Sequence, residues 1–259
     1  MAEGAGTERA GAPVDRIVFL GHSTVLIELD GVRLLTDPLL RGRVAHLRRR
    51  AARVEEHAFA DLDAVLISHL HHDHLDIASL RMLDGEPPLL VPSGAGAWLR
   101  RRRFAAVSEL APGEAAQVGA IAIEALDARH NGWRVGGPHA QSIGYLARGR
   151  RSVYFAGDTA LFGEMAELAG ELDVALLPIA GWGARLGPGH MDALEAARAA
   201  AMLRPRLAIP IHWGTLTPVG SPRGAEELQE PARLFAEHVA RLAPSVEVRV
   251  LEPGEATTL

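Results

Sequence analysis

The segment Ser68-His69-Leu70-His71-His72-Asp73-His74-Leu75-Asp76 holds four of the chain's 12 histidines within six positions. It follows directly on the apolar run Ala64 to Ile67, which reads as a strand. In extended chain, alternate residues project to the same side, so His69 and His71 can hold one cation. Asp73 and His74 come where the chain must turn toward a helix, and they can aim at a second cation close by. Imidazole and carboxylate suit zinc first, with manganese or iron as alternatives. The competing reading is a solvated histidine-rich loop with adventitious metal affinity. The order H-x-H-x-D-H weighs against it.

One loop cannot close two cation sites, and three further residues have the right character. His130 opens His130-Asn131-Gly132-Trp133-Arg134 beyond an apolar run ending at Ala125. Asp158 ends Tyr154-Phe155-Ala156-Gly157-Asp158, and His212 ends Ala208-Ile209-Pro210-Ile211-His212. Each is a metal-type ligand just past a hydrophobic strand, where loops gather at one edge of a sheet. Glycines beside Asp158 and His212 permit close backbone approach. An aspartate able to bridge two cations is what a dinuclear hydrolytic site needs. Taken singly, each of the three is better explained as turn chemistry, and it is the histidine loop that turns the reading toward a ligand.

The elements that must carry these residues are legible. Arg16 to Leu20, Thr24 to Leu29 and Val32 to Leu35 read as strands, with Asp30-Gly31 as a two-residue hairpin turn. Further strands are expected at Ala64 to Ile67, Leu89 to Val91, Ala120 to Ala125, Ser142 to Leu146, Ser152 to Phe155, Val174 to Leu177, Leu207 to Ile211 and Val246 to Leu251. Helices are expected over Ile77 to Leu83, Ala95 to Arg103, Leu161 to Gly170, Ala193 to Leu203 and Ala225 to Leu242. Asp192 and Glu195 form a capping-box pattern at the start of the fourth. Strands in a run, followed by strands alternating with helices, imply an α/β architecture of sheet layers covered by helices. Residues 1–13 read as a disordered tail and 14–259 as one domain. Arg41 to Glu56 reads as an arginine-rich surface loop or helix.

Composition narrows the function classes. The 259 residues contain no cysteine, which excludes disulfides, thiolate metal sites and cysteine nucleophiles. They contain no lysine, which excludes a lysine Schiff base and a P-loop lysine. A net charge of −5 argues against a protein built to hold nucleic acid. No apolar run approaches a membrane span and no signal-peptide core is visible, so a cytoplasmic protein without integral membrane association is expected. The runs Arg48 to Arg50 and Arg100 to Arg103 read as solvated faces. Trp98, Trp133, Trp182 and Trp213 read as core or pocket wall. The number of copies in the assembly is left open, a homo-oligomer included.

The chain resembles the metallo-β-lactamase superfamily, whose signature is the H-x-H-x-D-H loop. The pattern is most similar to its branch of ascorbate-6-phosphate lactonase and N-acyl-phosphatidylethanolamine phospholipase D. The matching pieces are Leu20 to Thr24, Leu35 to Pro38, the His69 to His74 loop, His130, Phe155 to Thr159, Gly189 to Asp192 and Ile211 to Thr215. The resemblance implies a four-layer αββα sandwich with the metal site at one edge. It implies that His69, His71 and His130 bind one metal and Asp73, His74 and His212 a second, with Asp158 bridging. It sets His190 over the metals as an oxyanion donor, and Asp37 behind them as a carboxylate that orients a ligand. His22 stands evenly between such support and packing.

These readings converge on a hydrolase that uses two divalent ions and the hydroxide they share, with Asp73 and His190 catalytic. The resemblance implies a small anionic substrate, a phosphorylated lactone or a phosphodiester. The alternatives are a mononuclear iron dioxygenase of the same fold and a non-catalytic metal-binding protein.

Overall fold

A computed structural model describes residues 14–183 and 185–259; the tail expected over residues 1–13 lies outside them. The chain opens with the expected hairpin. Asp30 and Gly31 both take positive φ, 49° and 81°, the primed turn that matches strand twist, and join Thr24–Leu29 to Val32–Thr36. Alternation then sorts the side chains of Arg16–Gly21. Ile17 and Phe19 face the core shared with the second sheet, while Val18 and Leu20 face a separate cluster on the outer side.

Two seven-stranded sheets result. The first runs, in spatial order, Ala256–Thr258, Arg16–Gly21, Thr24–Leu29, Val32–Thr36, Ala64–Leu66, Leu89–Pro92 and Val107–Leu110. The second runs Glu247–Val248, Leu207–Ile211, Val174–Pro178, Ser152–Phe155, Ile143–Arg148, Ile121–Asp127 and Ala115–Val118. Each sheet is antiparallel at one end and parallel at the other. Their facing sides share one core, with Ile17, Phe19 and Ile27 of the first among Ile123, Tyr145 and Phe155 of the second. The helices Ala193–Leu203 and Ala225–Leu242 add Ala196, Ala200, Phe235 and Val239 to the same cluster. The short helices Ile77–Leu80 and Gly96–Arg100 cover the outer side of the first sheet with Leu80, Trp98 and Leu99. This is the αββα sandwich.

Phe235 is fully buried on the long helix, within the core that the two sheets share. Phe235→Ala is expected to remove about 3–5 kcal/mol of stability, read as a lower urea midpoint with an unchanged slope.

Several expectations need correction. Arg41 to Glu56 is neither loop nor helix throughout. Arg43–Val44 and Leu47–Arg49 form a hairpin that Leu216–Pro218 joins as a third strand. Its alternate residues Val44 and Leu47 pack with Leu39 and Leu216 in a cluster of their own, a pairing with a strand some 170 positions away that no local pattern announces. Arg49, read as solvated, is 7% exposed. Leu161 to Gly170 contains a 3-10 helix, Gly163–Leu168, that buries only Met165. Of Val246 to Leu251, only Glu247–Val248 pairs as a strand. Trp98 and Trp213 are buried, but Trp133 is 44% exposed. No helix among the described residues is long and apolar enough to cross a membrane.

Candidate metal centre

Apart from His190, which stands just before the helix Ala193–Leu203, the residues singled out by their chemistry stand past the C-terminal ends of strands. Asp37 follows Val32–Thr36, the His69 to His74 loop follows Ala64–Leu66, Asp158 follows Ser152–Phe155 and His212 follows Leu207–Ile211. His22 follows Arg16–Gly21 and His130 follows Ile121–Asp127. In open sheets this is the edge where loops leave a crevice. The structure brings these residues together from both sheets.

One group is His69, His71 and His130, and another is His22, Asp73, His74 and His212; in each, the nearest ligand atoms lie within 4.8 Å of one another. Asp158 stands between them. Its Oδ2 is 3.2 Å from His74 Nε2, 3.3 Å from His190 Nε2 and 3.9 Å from His69 Nε2, and its Oδ1 is 3.2 Å from His212 Nε2. His190 completes a third group with Asp158 and His130. His72 is exposed and belongs to none of these groups.

The outward nitrogens of these imidazoles are spoken for. Asp37, fully buried, accepts from Ser68 N at 2.7 Å and Ser68 Oγ at 2.5 Å, and from His74 Nδ1 at 2.7 Å. With its own hydrogen given to Asp37, Ser68 Oγ accepts from His69 Nδ1 at 3.0 Å. The Gly189 carbonyl accepts from His130 Nδ1 at 2.9 Å, and the Ala180 carbonyl from His212 Nδ1 at 2.6 Å. A neutral imidazole carries one proton. With a proton fixed on Nδ1 in all four rings, each turns its Nε2 inward, the orientation a metal ligand needs.

The inward side has too few protons to satisfy itself. His71 Nδ1 is 3.1 Å from His69 Nε2 and 3.2 Å from His130 Nε2, and a single proton cannot join all three. His74 Nε2, His212 Nε2 and Asp158 Oδ1 are buried with no hydrogen-bond partner, although carboxylate and imidazoles lie 3.2 Å apart. They are close but not in line, aimed past one another at shared points. Orphaned buried lone pairs are costly. Convergent ones of nitrogen and oxygen type are the donor set of a cation such as zinc, so the residues fit a metal.

The charge states agree. Burial pushes the His69 and His71 imidazoles below their ordinary value and takes His130 down to about 4, so all three are neutral near pH 7. His74 is held well above its ordinary value, against its burial, by Asp158, Asp73 and Asp37. Asp158 stays well below the usual carboxylate range, again against burial, through His212 and His74. Neutral imidazoles and ionised carboxylates are the forms that ligate. At His74 the charge of three carboxylates calls for a cation, and a metal on Nε2 would replace the proton there.

Backbone geometry at the centre is also unusual. His22, Asp37 and His212 hold positive φ, 58°, 33° and 63°, outside the comfort of non-glycine residues. Hydrogen bonds hold them there: His212 N donates to the His22 carbonyl at 2.8 Å, His22 N to Thr215 Oγ1 at 2.7 Å and Asp37 N to the Leu66 carbonyl at 2.9 Å. Such strain persists where the surroundings over-determine it. Gly157, at φ 60°, is packed so that a Cβ would stand 2.7 Å from Ser68 Cβ, which lets Asp158 approach the histidine loop. His22 is the residue that sequence reasoning undervalued. Its buried Nε2 lies 3.0 Å from Asp73 Oδ2 and its ring centroid 4.0 Å from that of His212. The signal was its place in a Gly-His-Ser turn at a strand end, the same setting as the other ligand candidates.

A sandwich of two mixed sheets with a histidine and aspartate centre at one edge defines the metallo-β-lactamase fold. The family profile described as the beta-lactamase superfamily domain matches residues 32–213, and the chain belongs to that family. It is 35% identical over 250 residues to a UPF0173 metal-dependent hydrolase of Methanopyrus kandleri, covering 93% of this chain and 98% of the relative. It is 32% identical over 230 residues to the N-acyl-phosphatidylethanolamine-hydrolyzing phospholipase D 1 of Caenorhabditis elegans, covering 78% of this chain but 64% of that one. Among solved structures, Igni18, a metallo hydrolase of Ignicoccus hospitalis, superposes with a TM-score of 0.74 at 26% identity, covering 95% of this chain and 99% of the other.

Proposed function

We propose that this chain is a dinuclear metal-dependent hydrolase. The observation that carries the reading is the set of four Nδ1 protons fixed by Asp37, Ser68, Gly189 and Ala180, which turns four Nε2 atoms toward Asp158 and His71. His69, His71 and His130 would hold one divalent ion; Asp73, His74 and His212 would hold the second, with Asp158 shared. Two such ions lower the pKa of a shared water toward neutrality and polarise the oxygen of the scissile group.

The chain's own residues would do the rest. Asp73, whose Oδ2 is anchored by His22, orients the attacking water and takes its proton. His190 is set to donate. Its Nδ1 is engaged by the Gly187 carbonyl at 3.0 Å, and Asp158 outweighs burial to hold its pKa above the ordinary value. Its Nε2 proton would stabilise charge developing on the substrate oxygen. Asp37 acts through His74 and the histidine loop, and keeps both in place.

The substrate class is a small anionic ester, a phosphodiester or a phosphorylated lactone. The likeness to an enzyme that hydrolyses N-acyl-phosphatidylethanolamine supports the former. A hydrogen-bond donor at His190 suits either.

Metal analysis of the purified chain is expected to find two divalent ions, zinc before manganese or iron. Chelation should abolish turnover of a chromogenic phosphodiester or lactone, and added metal should restore it. The metal-free protein should also melt lower, because a ligand that binds only the folded state adds about 4 kcal/mol at a thousandfold its Kd. One iron per chain with oxygen uptake would replace hydrolysis by oxygenation. Full metal content without turnover of any ester would leave a binding protein.

A further inference from the structure

A cavity of about 480 Å³ opens on the outer side of the first sheet, behind the edge that carries His22. Val18, Leu20, Leu26 and Val54 line it, all members of the core under that side. Charge on its wall is mostly arginine. Arg16 and Arg33 are both committed to Glu28, and Arg53 stands 3.8 Å from Glu56. Arg49 differs from these three. It is 7% exposed and forms no ion pair among the described residues. Its Nε donates to the Ala52 carbonyl at 2.8 Å, Nη1 to the Leu39 carbonyl at 3.4 Å and Nη2 to the Leu20 carbonyl.

A guanidinium has five N–H donors, so two remain without an acceptor among the described residues. Burial lowers Arg49 to about 10, yet it stays a cation at neutral pH. A buried charge hydrogen-bonded only to carbonyls is poorly compensated, and Glu55, on the same wall, forms no ion pair with it among the described residues. The planar fork matches a carboxylate or a phosphate, and the apolar wall matches what would be attached to it.

We propose that this cavity is a second ligand site, separate from the metal centre, for a small amphiphilic anion. Its carboxylate or phosphate head sits on Arg49 and its short alkyl body on the Val18, Leu20, Leu26 and Val54 wall. The proposal does not rest on the hydrolase reading.

Calorimetric titration of the full metal-loaded chain with octanoate and with octyl phosphate tests it. One binding event per chain is expected for at least one of them, and the tighter head group identifies the source. Octanol and octyltrimethylammonium should bind at least tenfold more weakly. Ala58→Trp places bulk in the cavity without touching the contacts of Arg49, and should weaken the anion at least tenfold. Arg49→Met should do the same where it folds. His190→Ala, at the metal centre, should leave the affinity unchanged. The site is overturned if neither anion binds, if the ammonium amphiphile binds as tightly, if Ala58→Trp binds like the parent chain, or if His190→Ala loses the ligand.

Discussion

Asp158→Asn is expected to lower kcat by about 10³-fold or more, which is about 4 kcal/mol of barrier, and to reduce the bound metal below two per chain. The amide keeps the shape of the carboxylate and removes its charge. Asp158 is 2% exposed and lies within 3.9 Å of the Nε2 atoms of His69, His74, His190 and His212. No neighbour can replace it, because Asp37 and Asp73 are already engaged with Ser68, His74 and His22. An asparagine would also turn an NH2 toward imidazole nitrogens whose lone pairs would otherwise face a cation. Steady-state kinetics and metal analysis on the same preparation decide it, with far-UV circular dichroism as the check on folding. Parental turnover in Asp158→Asn would remove the dinuclear mechanism. Parental metal content with lost turnover would keep the centre and reassign Asp158 to the chemistry.

The second large effect is expected on stability. Asp37→Ala deletes a fully buried carboxylate that accepts three hydrogen bonds and faces His74. Removing one partner of a buried charged pair costs about 3–5 kcal/mol. For a chain of this size that is a fall of about 10 °C in Tm, measured on metal-free protein so that lost metal does not add to it. Metal affinity should fall about 10- to 100-fold, because His74 loses the acceptor of its Nδ1 proton and Ser68, which accepts from His69, loses the carboxylate that orients it. If Asp37→Ala weakened metal binding with an unchanged Tm, the carboxylate would be an orienting group alone. A large loss of Tm with parental metal affinity would make it a packing and hydrogen-bonding residue only.

The two residues differ in how far they could be read in the sequence. Asp158 ends an apolar strand with a glycine before it, and its residue type alone suggested a ligand. Asp37, before a proline, looked like an ordinary turn aspartate, and only the family resemblance gave it a role. The carbonyls of Ala180 and Gly189 could not be read at all. Every residue has a carbonyl, and which one meets a histidine depends on how the loops after Val174–Pro178 and before Ala193–Leu203 cross the sheet edge. Arg49 shows the same limit in reverse. A run of three arginines suggests a solvated face, but alternation along Leu47–Arg49 turns its last residue inward once that strand pairs with Leu216–Pro218.

The sequence by itself determined the donor chemistry of the centre, the opening hairpin, the capped helix at Asp192 and the mixed α/β class. Those properties live in residue type and short-range spacing, which survive without knowledge of distant partners. Only the tertiary structure decided which nitrogen of each histidine faces inward, that His22 joins the second group, and that an arginine with no ion pair among the described residues sits beside a cavity. Each of these depends on atoms brought together across scores of positions by strand register and loop path. A hydrogen-bond acceptor is defined by where it ends up, and local pattern carries no record of that.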